Sequence, residues 1–123
     1  MCCVMTALRL ISLPLHGAVE MAVGLFTMAA PVALGLSPAA AVIGVVVGAL
    51  IVGLALSSTG TETDGRRTMS VAAHHAFDYG IAMGLFGAAA VIGIAGDGIA
   101  AVVFAVAAAT QLGLNLTTRY STR

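Results

Sequence analysis

The sequence predicts an all-α integral membrane protein, a four-helix bundle made of two parallel two-helix hairpin repeats. Three observations lead to this prediction: 60% of the 123 residues are hydrophobic and only 8% are charged, the apolar residues form four long runs, and the second pair of runs repeats the first. A soluble domain carries about 25% charged residues, and a chain this small could not bury so much apolar surface in water. Lipid is therefore the expected solvent.

Short polar or turn-forming breaks divide the chain into spans. They predict an N-terminal segment 1–12, a first hairpin 13–57 with spans 13–36 and 38–57, a polar loop 58–70, a second hairpin 71–117 with spans 71–95 and 98–117, and a tail 118–123. Each span has the roughly 20 residues that a helix needs to cross about 30 Å of hydrocarbon. The breaks also carry helix-end chemistry: the predicted N-caps are Ser37, Ser70 and Asp97, and the predicted C-terminal glycines are Gly35 and Gly96.

The arginines predict the orientation in the membrane. With four spans, the N-terminus, the 58–70 loop and the C-terminus share one side, and all the basic residues fall there: Arg9, Arg66, Arg67, Arg119 and Arg123. Basic residues are enriched in cytoplasmic segments. We therefore expect a multi-pass protein of the cell (inner) membrane with both termini in the cytoplasm.

An internal repeat relates the two hairpins. Shifting the chain by 60 positions aligns residues 17–58 with 77–118 and superimposes Gly-Leu-Phe at 24–26 on the same triplet at 84–86. Two spans per copy keep the copies parallel, which predicts a pseudo-twofold axis along the membrane normal. Small residues four apart allow close helix contact, so Gly44 with Gly48, and Gly80 with Gly84, are predicted helix-packing positions.

The stretch 24–35, Gly-Leu-Phe-Thr-Met-Ala-Ala-Pro-Val-Ala-Leu-Gly, resembles the SPW-repeat family of small bacterial membrane proteins. The Ser-Pro-Trp triplet of that family is replaced here by Ala-Pro-Val at 30–32 and by Ala-Val-Ile at 90–92, and the chain has no tryptophan. The resemblance implies paired helical hairpins in the plasma membrane and an uncharacterised role, without a mechanism.

Ionisable residues inside the spans are candidates for function because they are costly at membrane depth. His16 and Glu20 are four residues apart on the first span, as are His74 and Asp78 on the third, with His75 alongside. Each pair occupies one helix face, so the pairs could converge if the first and third helices face each other. The two pairs are 58 positions apart, however, whereas the repeat aligns at 60, so the pairs need not lie on equivalent faces of the first and third helices. Alternatively, these side chains reach the nearby interface and serve no ligand.

Several function classes remain open at this point. The leading hypothesis is a non-enzymatic accessory or structural membrane subunit that requires no cofactor, with the lipid bilayer, further copies or other membrane subunits as partners. A second is a small oligomeric proton- or ion-coupled transporter using Glu20 and Asp78. A third is a metal- or haem-binding redox subunit using His16, His74 and His75.

Other classes and residues have simpler interpretations. Nucleic-acid binding is excluded by the zero net charge and the absence of lysine. The adjacent Cys2 and Cys3 lack zinc-site spacing and are expected to be free thiols. Thr110, Gln111 and Asn115, late in the fourth span, are expected to hydrogen-bond across helices rather than bind substrate.

Overall fold

The computed structural model describes residues 10–58 and 69–119, and it confirms the all-α architecture. Its helices are α1 (Leu13–Ala33), α2 (Pro38–Ser58), α3 (Val71–Ile94) and α4 (Gly98–Thr117). All four are long and apolar enough to cross a membrane. The described ranges contain no β-strand, only an isolated parallel bridge between Ile11 and Thr118. Most of the polar loop, both cysteines and all the arginines except Arg119 lie outside the described residues.

The helices pair as two hairpins, α1 with α2 and α3 with α4, and these are the most extensive contacts in the bundle. The hairpins meet through α1 against α4 and, less closely, α2 against α3. Each odd-numbered helix therefore neighbours both even-numbered ones, which places α1 and α3 diagonally across the bundle. Side chains that point inward from α1 and α3 can then meet at its centre.

The helix ends have the predicted chemistry. Ser37, Ser70 and Asp97 each accept a hydrogen bond from the backbone N–H three residues later, at 3.3, 3.2 and 3.1 Å. Gly35 and Gly96 follow α1 and α3 with φ of +61° and +98°, a left-handed conformation that only glycine adopts at little cost. In both turns the backbone forms the paired hydrogen bonds of a Schellman motif. The two hairpins thus reverse direction by the same local mechanism.

The outer surface of the bundle is apolar on every helix. Large side chains that are more than half exposed include Leu25 on α1, Val46 on α2, Met83 on α3 and Val106 on α4. The buried core is also apolar along most of its length, with Phe104, Ile51 and Leu85 at its centre. Helices that are hydrophobic on all faces are typical of membrane spans, so the chain is a multi-pass membrane protein.

The hairpins are also joined at both ends of the bundle. At one end, the backbone N–H of Ser37 donates to Asp97 Oδ2 at 3.3 Å. At the other end, backbone hydrogen bonds of 2.9 to 3.0 Å join Leu10 and Ile11 to Thr117 and Arg119. We call this second pairing the terminal clasp; it places the beginning of α1 and the end of α4 at the same end of the bundle.

Glycines allow α1 and α2 to approach closely. A Cβ on Gly48 would lie 2.6 Å from the Gly24 carbonyl oxygen, and one on Gly44 would lie 2.7 Å from the Thr27 carbonyl oxygen. Pro31 cannot donate to Thr27 as a helical residue normally would, and its ring packs against Gly44. The first glycine pair therefore lies in the interface within the first hairpin.

The second pair, Gly80 and Gly84, makes no such contact. A Cβ on either residue would meet nothing within 4 Å among the described residues. Both residues instead line an open apolar cleft of about 430 Å³ between α2 and α3, together with Val47, Leu50, Ala76, Phe77, Ile81 and Leu85. Gly80 and Gly84 leave space here because they have no side chains. The residues 58 positions earlier on α1, Ala22 and Phe26, do have side chains.

Candidate functional site

The N-terminal thirds of α1 and α3 bring four ionisable side chains to the bundle axis. Residue Ser12 is extended and a proline follows within the first turn of α1, which is a favoured helix start; Ser70 caps α3 with its hydroxyl. Four residues are nearly one helical turn, so the two polar residues on each helix point the same way. These residues are His16, Glu20, His74 and Asp78, and we call them the central cluster.

The central cluster is compact and buried. The four contacts between a histidine Nε2 and a carboxylate oxygen measure 3.1 Å for His16–Asp78, 3.4 Å for His74–Glu20, 3.5 Å for His74–Asp78 and 3.8 Å for His16–Glu20. The two imidazole rings meet edge to face with centroids 5.7 Å apart. No side chain of the central cluster is more than 6% exposed. Each hairpin supplies one histidine and one carboxylate, and the two shortest contacts join α1 to α3.

The buried faces explain why the two pairs converge although they do not match at the repeat offset of 60. For α2 and α4 that offset does superimpose buried residues: Ala40 on Ala100, Gly48 on Ala108, Ile51 on Gln111, Leu54 on Leu114 and Ala55 on Asn115. For α1 and α3 the buried faces superimpose at 58: His16 on His74, Glu20 on Asp78, Gly24 on Ala82, Thr27 on Leu85 and Pro31 on Ala89. The offset of 60 therefore does not superimpose the buried faces of the odd-numbered helices, which match at 58 because α1 and α3 begin 58 positions apart, at Leu13 and Val71.

Gln111 on α4 contacts the central cluster from a third helix. Its Nε2 amide lies 3.4 Å from Glu20 Oε1 and 3.5 Å from Asp78 Oδ1, and the residue is fully buried. The amide thus faces the carboxylate oxygens that do not face the histidines. The expectation that Gln111 hydrogen-bonds across helices is confirmed, whereas its two carboxylate partners were not anticipated.

Thr118 contacts the central cluster beside the terminal clasp. Its hydroxyl donates to the Leu114 carbonyl oxygen at 2.6 Å, and His16 Nδ1 lies 2.7 Å from the same hydroxyl oxygen. A carbonyl can only accept, so the hydroxyl proton is engaged there and His16 Nδ1–H donates to Thr118. Sequence reasoning missed this residue because it lies 102 positions from its partner and just beyond the last helix.

The remaining polar candidates lie outside the central cluster. His75 is partly exposed and packs edge to face against Tyr79, with ring centroids 4.8 Å apart. Thr110 is exposed and its hydroxyl donates to the Val106 carbonyl of its own helix at 2.8 Å. Asn115 is buried one turn beyond Gln111. The adjacent histidines on α3 therefore occupy different environments, one in the central cluster and one partly exposed beside Tyr79.

Apolar packing closes the bundle beyond the central cluster. In the direction of the Ser37–Asp97 contact, the next buried side chains include Val23, Leu85 and Phe104. The buried Thr27 hydroxyl donates to a carbonyl of its own helix at 2.7 Å. Among the described residues we find no continuous row of polar side chains that crosses the bundle. The site is thus a buried polar cluster near one end of the described bundle, not a polar pathway through it.

Nitrogen and carboxylate oxygen atoms in this arrangement are suited to one divalent metal ion. One potential ligand atom from each member of the central cluster can be chosen so that all four lie within 4.8 Å of one another. Zinc binds histidine nitrogen and carboxylate oxygen at about 2.0–2.2 Å, and neighbouring ligand atoms of such a tetrahedron lie about 3.3–3.6 Å apart. The four nitrogen–oxygen separations of 3.1 to 3.8 Å bracket that spacing.

No protein-family model, no curated protein and no solved structure matches this chain. The resemblance to the SPW-repeat family accordingly stays a prediction based on the residues at 24–35.

Proposed function

We propose that this protein binds one divalent transition-metal ion inside the membrane, through His16, Glu20, His74 and Asp78. The observation that carries the proposal is the convergence of two imidazole nitrogens and two carboxylates, at 3.1 to 3.8 Å, on the axis of a mostly apolar bundle. Ionisable groups at membrane depth are retained where they pair or serve a site. Here both hairpins contribute equally to one such group.

The charges of the central cluster favour a divalent ion. Glu20 and Asp78 are both fully buried, and their two negative charges would balance one doubly charged cation. Imidazole nitrogen suits zinc, copper, iron and nickel, whereas magnesium and calcium prefer oxygen ligands alone. Two imidazole nitrogens together with two carboxylates therefore point to an ion of the zinc type.

The number of ligands supports a structural role for the ion. Zinc sites with four protein ligands are typically structural, whereas catalytic sites keep one position for water or substrate. An ion held in this way would join α1 of one hairpin to α3 of the other. This is consistent with a non-enzymatic accessory or structural subunit of a membrane assembly, which stays our proposal for the biological role.

The two alternative functions receive less support from the geometry. A transporter needs a route beyond Glu20 and Asp78, and apolar side chains such as Phe104 occupy the described bundle there. Haem ligation needs space for a porphyrin beside a histidine. The carboxylates of the central cluster instead lie within 3.8 Å of both histidine Nε2 atoms.

The adjacent histidines of α3 provide the test. Metal content is measured by elemental analysis on the detergent-purified protein after incubation with zinc and removal of unbound ion. We expect about one zinc per chain in the wild type and in His75→Ala, and a clear loss in His74→Ala. Equal zinc content in His74→Ala and the wild type would contradict the proposal, and so would absence of zinc from the wild type.

We also propose that the end of the bundle carrying the terminal clasp faces the cytoplasm. The clasp joins Leu10 and Ile11, before α1, to Thr117 and Arg119, at and just beyond the end of α4, so both chain ends leave the membrane on one side. Arg119 lies there, and the arginines of the 58–70 loop are assigned to the same side by the number of spans. The excess of arginine supports a cytoplasmic location in the cell membrane.

A further inference from the structure

We infer that Gln111 and Thr118 are positioning residues for this metal site, and that His16 binds the ion through Nε2 with its proton held on Nδ1. The inference rests on the proposed metal-binding function and specifies which groups outside the ligand set orient the ligands. Metal-binding histidines commonly donate their second N–H to a nearby acceptor, and ligating carboxylates are themselves hydrogen-bonded. Both features are present around the central cluster.

Gln111 orients the two carboxylates together. Its Nε2 lies within 3.5 Å of Glu20 Oε1 and of Asp78 Oδ1, and one amide nitrogen can donate two hydrogen bonds. With these oxygens held by Gln111, Oε2 of Glu20 and Oδ2 of Asp78 point toward the histidine nitrogens. A single side chain on α4 thereby aligns a carboxylate from each hairpin.

Thr118 determines which nitrogen of His16 is available to the ion. The Thr118 hydroxyl donates to Leu114 and accepts from His16 Nδ1–H, at 2.6 and 2.7 Å. In a neutral imidazole the other nitrogen then carries the lone pair. That nitrogen is Nε2, which lies 3.1 Å from Asp78 Oδ2. The tautomer required for metal binding is thus favoured before the ion arrives.

The inter-hairpin symmetry is broken at Gln111. At the offset of 60, which superimposes the buried faces of α2 and α4, Gln111 corresponds to Ile51, and both residues are fully buried. Isoleucine has no donor for a carboxylate. Because one glutamine on the bundle axis reaches both carboxylates, a second donor from α2 is not needed.

The experiment compares four variants of the purified full-length protein in detergent. Gln111→Met removes the amide at similar length, and Thr110→Val is its control on the exposed face of α4. Thr118→Val removes the hydroxyl, and Thr117→Val is its control, because the Thr117 hydroxyl donates only to carbonyls within α4, at 2.8 and 3.3 Å. Zinc affinity is measured by competition with a chelator, and bound cobalt is observed by its visible spectrum, which depends on coordination geometry.

We expect zinc affinity to fall about 10- to 100-fold in Gln111→Met and in Thr118→Val, with a changed cobalt spectrum. Both controls should match the wild type, and Thr118→Ser, which restores the hydroxyl, should recover affinity and spectrum. If the wild type binds zinc and both test variants bind it equally well with an unchanged spectrum, the positioning roles are wrong although the metal site stands. Affinity lost in Thr118→Val but not recovered in Thr118→Ser would overturn the role of the hydroxyl.

Discussion

Ser37 and Asp97, which begin the second helix of each hairpin 60 positions apart, touch each other through a hydrogen bond of 3.3 Å from the Ser37 backbone N–H to Asp97 Oδ2. The same carboxylate caps α4 through the backbone N–H of Ala100 at 3.1 Å. Repeat-equivalent residues can meet in this way only near a symmetry axis. The contact therefore marks where the pseudo-twofold axis leaves the bundle, at the end opposite the central cluster.

The Asp97 contact predicts an acid-sensitive contribution to stability. Hydrogen bonds from Ser37 and from the backbone N–H of Ala100 lower the pKa of the Asp97 carboxyl. A carboxyl whose pKa is lower in the folded than in the unfolded chain stabilises the fold fully above the unfolded value, about pH 4, and this contribution is lost as the pH falls through the folded pKa. We expect the melting temperature of Asp97→Asn to fall less on acidification than that of the wild type. Ser70→Ala removes a helix cap that makes no contact between the hairpins, so its melting temperature should depend on pH as the wild type's does. Equal pH dependence in the wild type and both variants would contradict the prediction.

The glycines of the two hairpins predict opposite responses to an added methyl group. In Gly48→Ala the new Cβ would lie 2.6 Å from the Gly24 carbonyl oxygen, so α1 and α2 must separate. Overpacking of this kind costs about 1–3 kcal/mol. In Gly84→Ala the new methyl group enters the open cleft, and stability should be unchanged or higher because alanine favours helix. Thermal unfolding in detergent measures both; a stable Gly48→Ala would contradict the close packing in the structure.

Metal binding predicts a stability that depends on zinc. An ion that binds only the folded state at about 100 times its dissociation constant adds about 2.7 kcal/mol to the free energy of unfolding. Zinc should therefore raise the melting temperature of the wild type, and a chelator should reverse the change. Magnesium should have no effect, since it prefers oxygen ligands. In the double variant Glu20→Gln, Asp78→Asn the shift with zinc should disappear; a shift of equal size there would place the ion elsewhere.

The terminal clasp predicts the result of topology mapping. Reporters fused at residue 64 and after residue 123 should both be active in the cytoplasm, whereas a reporter inserted at the Gly96 turn should be active on the other side. The physical reason is the even number of spans together with the arginines at one end. Reporters at 64 and 123 found on opposite sides would contradict the four-span topology.

Much of the fold could be predicted because its causes are local. The length of the apolar runs determines four spans, and the caps Ser37, Ser70 and Asp97 form with residues only three positions away. The left-handed turns at Gly35 and Gly96 likewise depend on the neighbouring backbone. Such features require no knowledge of how the helices pack.

The central cluster could be predicted only in part because it depends on helix rotation. The spacing of His16 with Glu20, and of His74 with Asp78, identified the residues. A uniform offset of 60 nevertheless pairs His16 with the exposed Ala76, whereas the buried faces of α1 and α3 match at 58. His75 illustrates the same limit: it neighbours His74 in the chain, yet one step along a helix turns a side chain by about 100°. Its contact with Tyr79, four residues later on the same helix face, is local; which of the two adjacent histidines is buried follows from packing.

The equal division of the central cluster between the hairpins bears on how such a chain could arise. Each half carries one histidine and one carboxylate, and the two inter-hairpin contacts, His16–Asp78 and His74–Glu20, are counterparts of each other. Two identical two-helix chains around a true twofold axis would therefore complete the same cluster as a homodimer. Duplication and fusion of such a gene would preserve the cluster. The second helices of the two halves could then differ in sequence, as Gln111 and the corresponding Ile51 do.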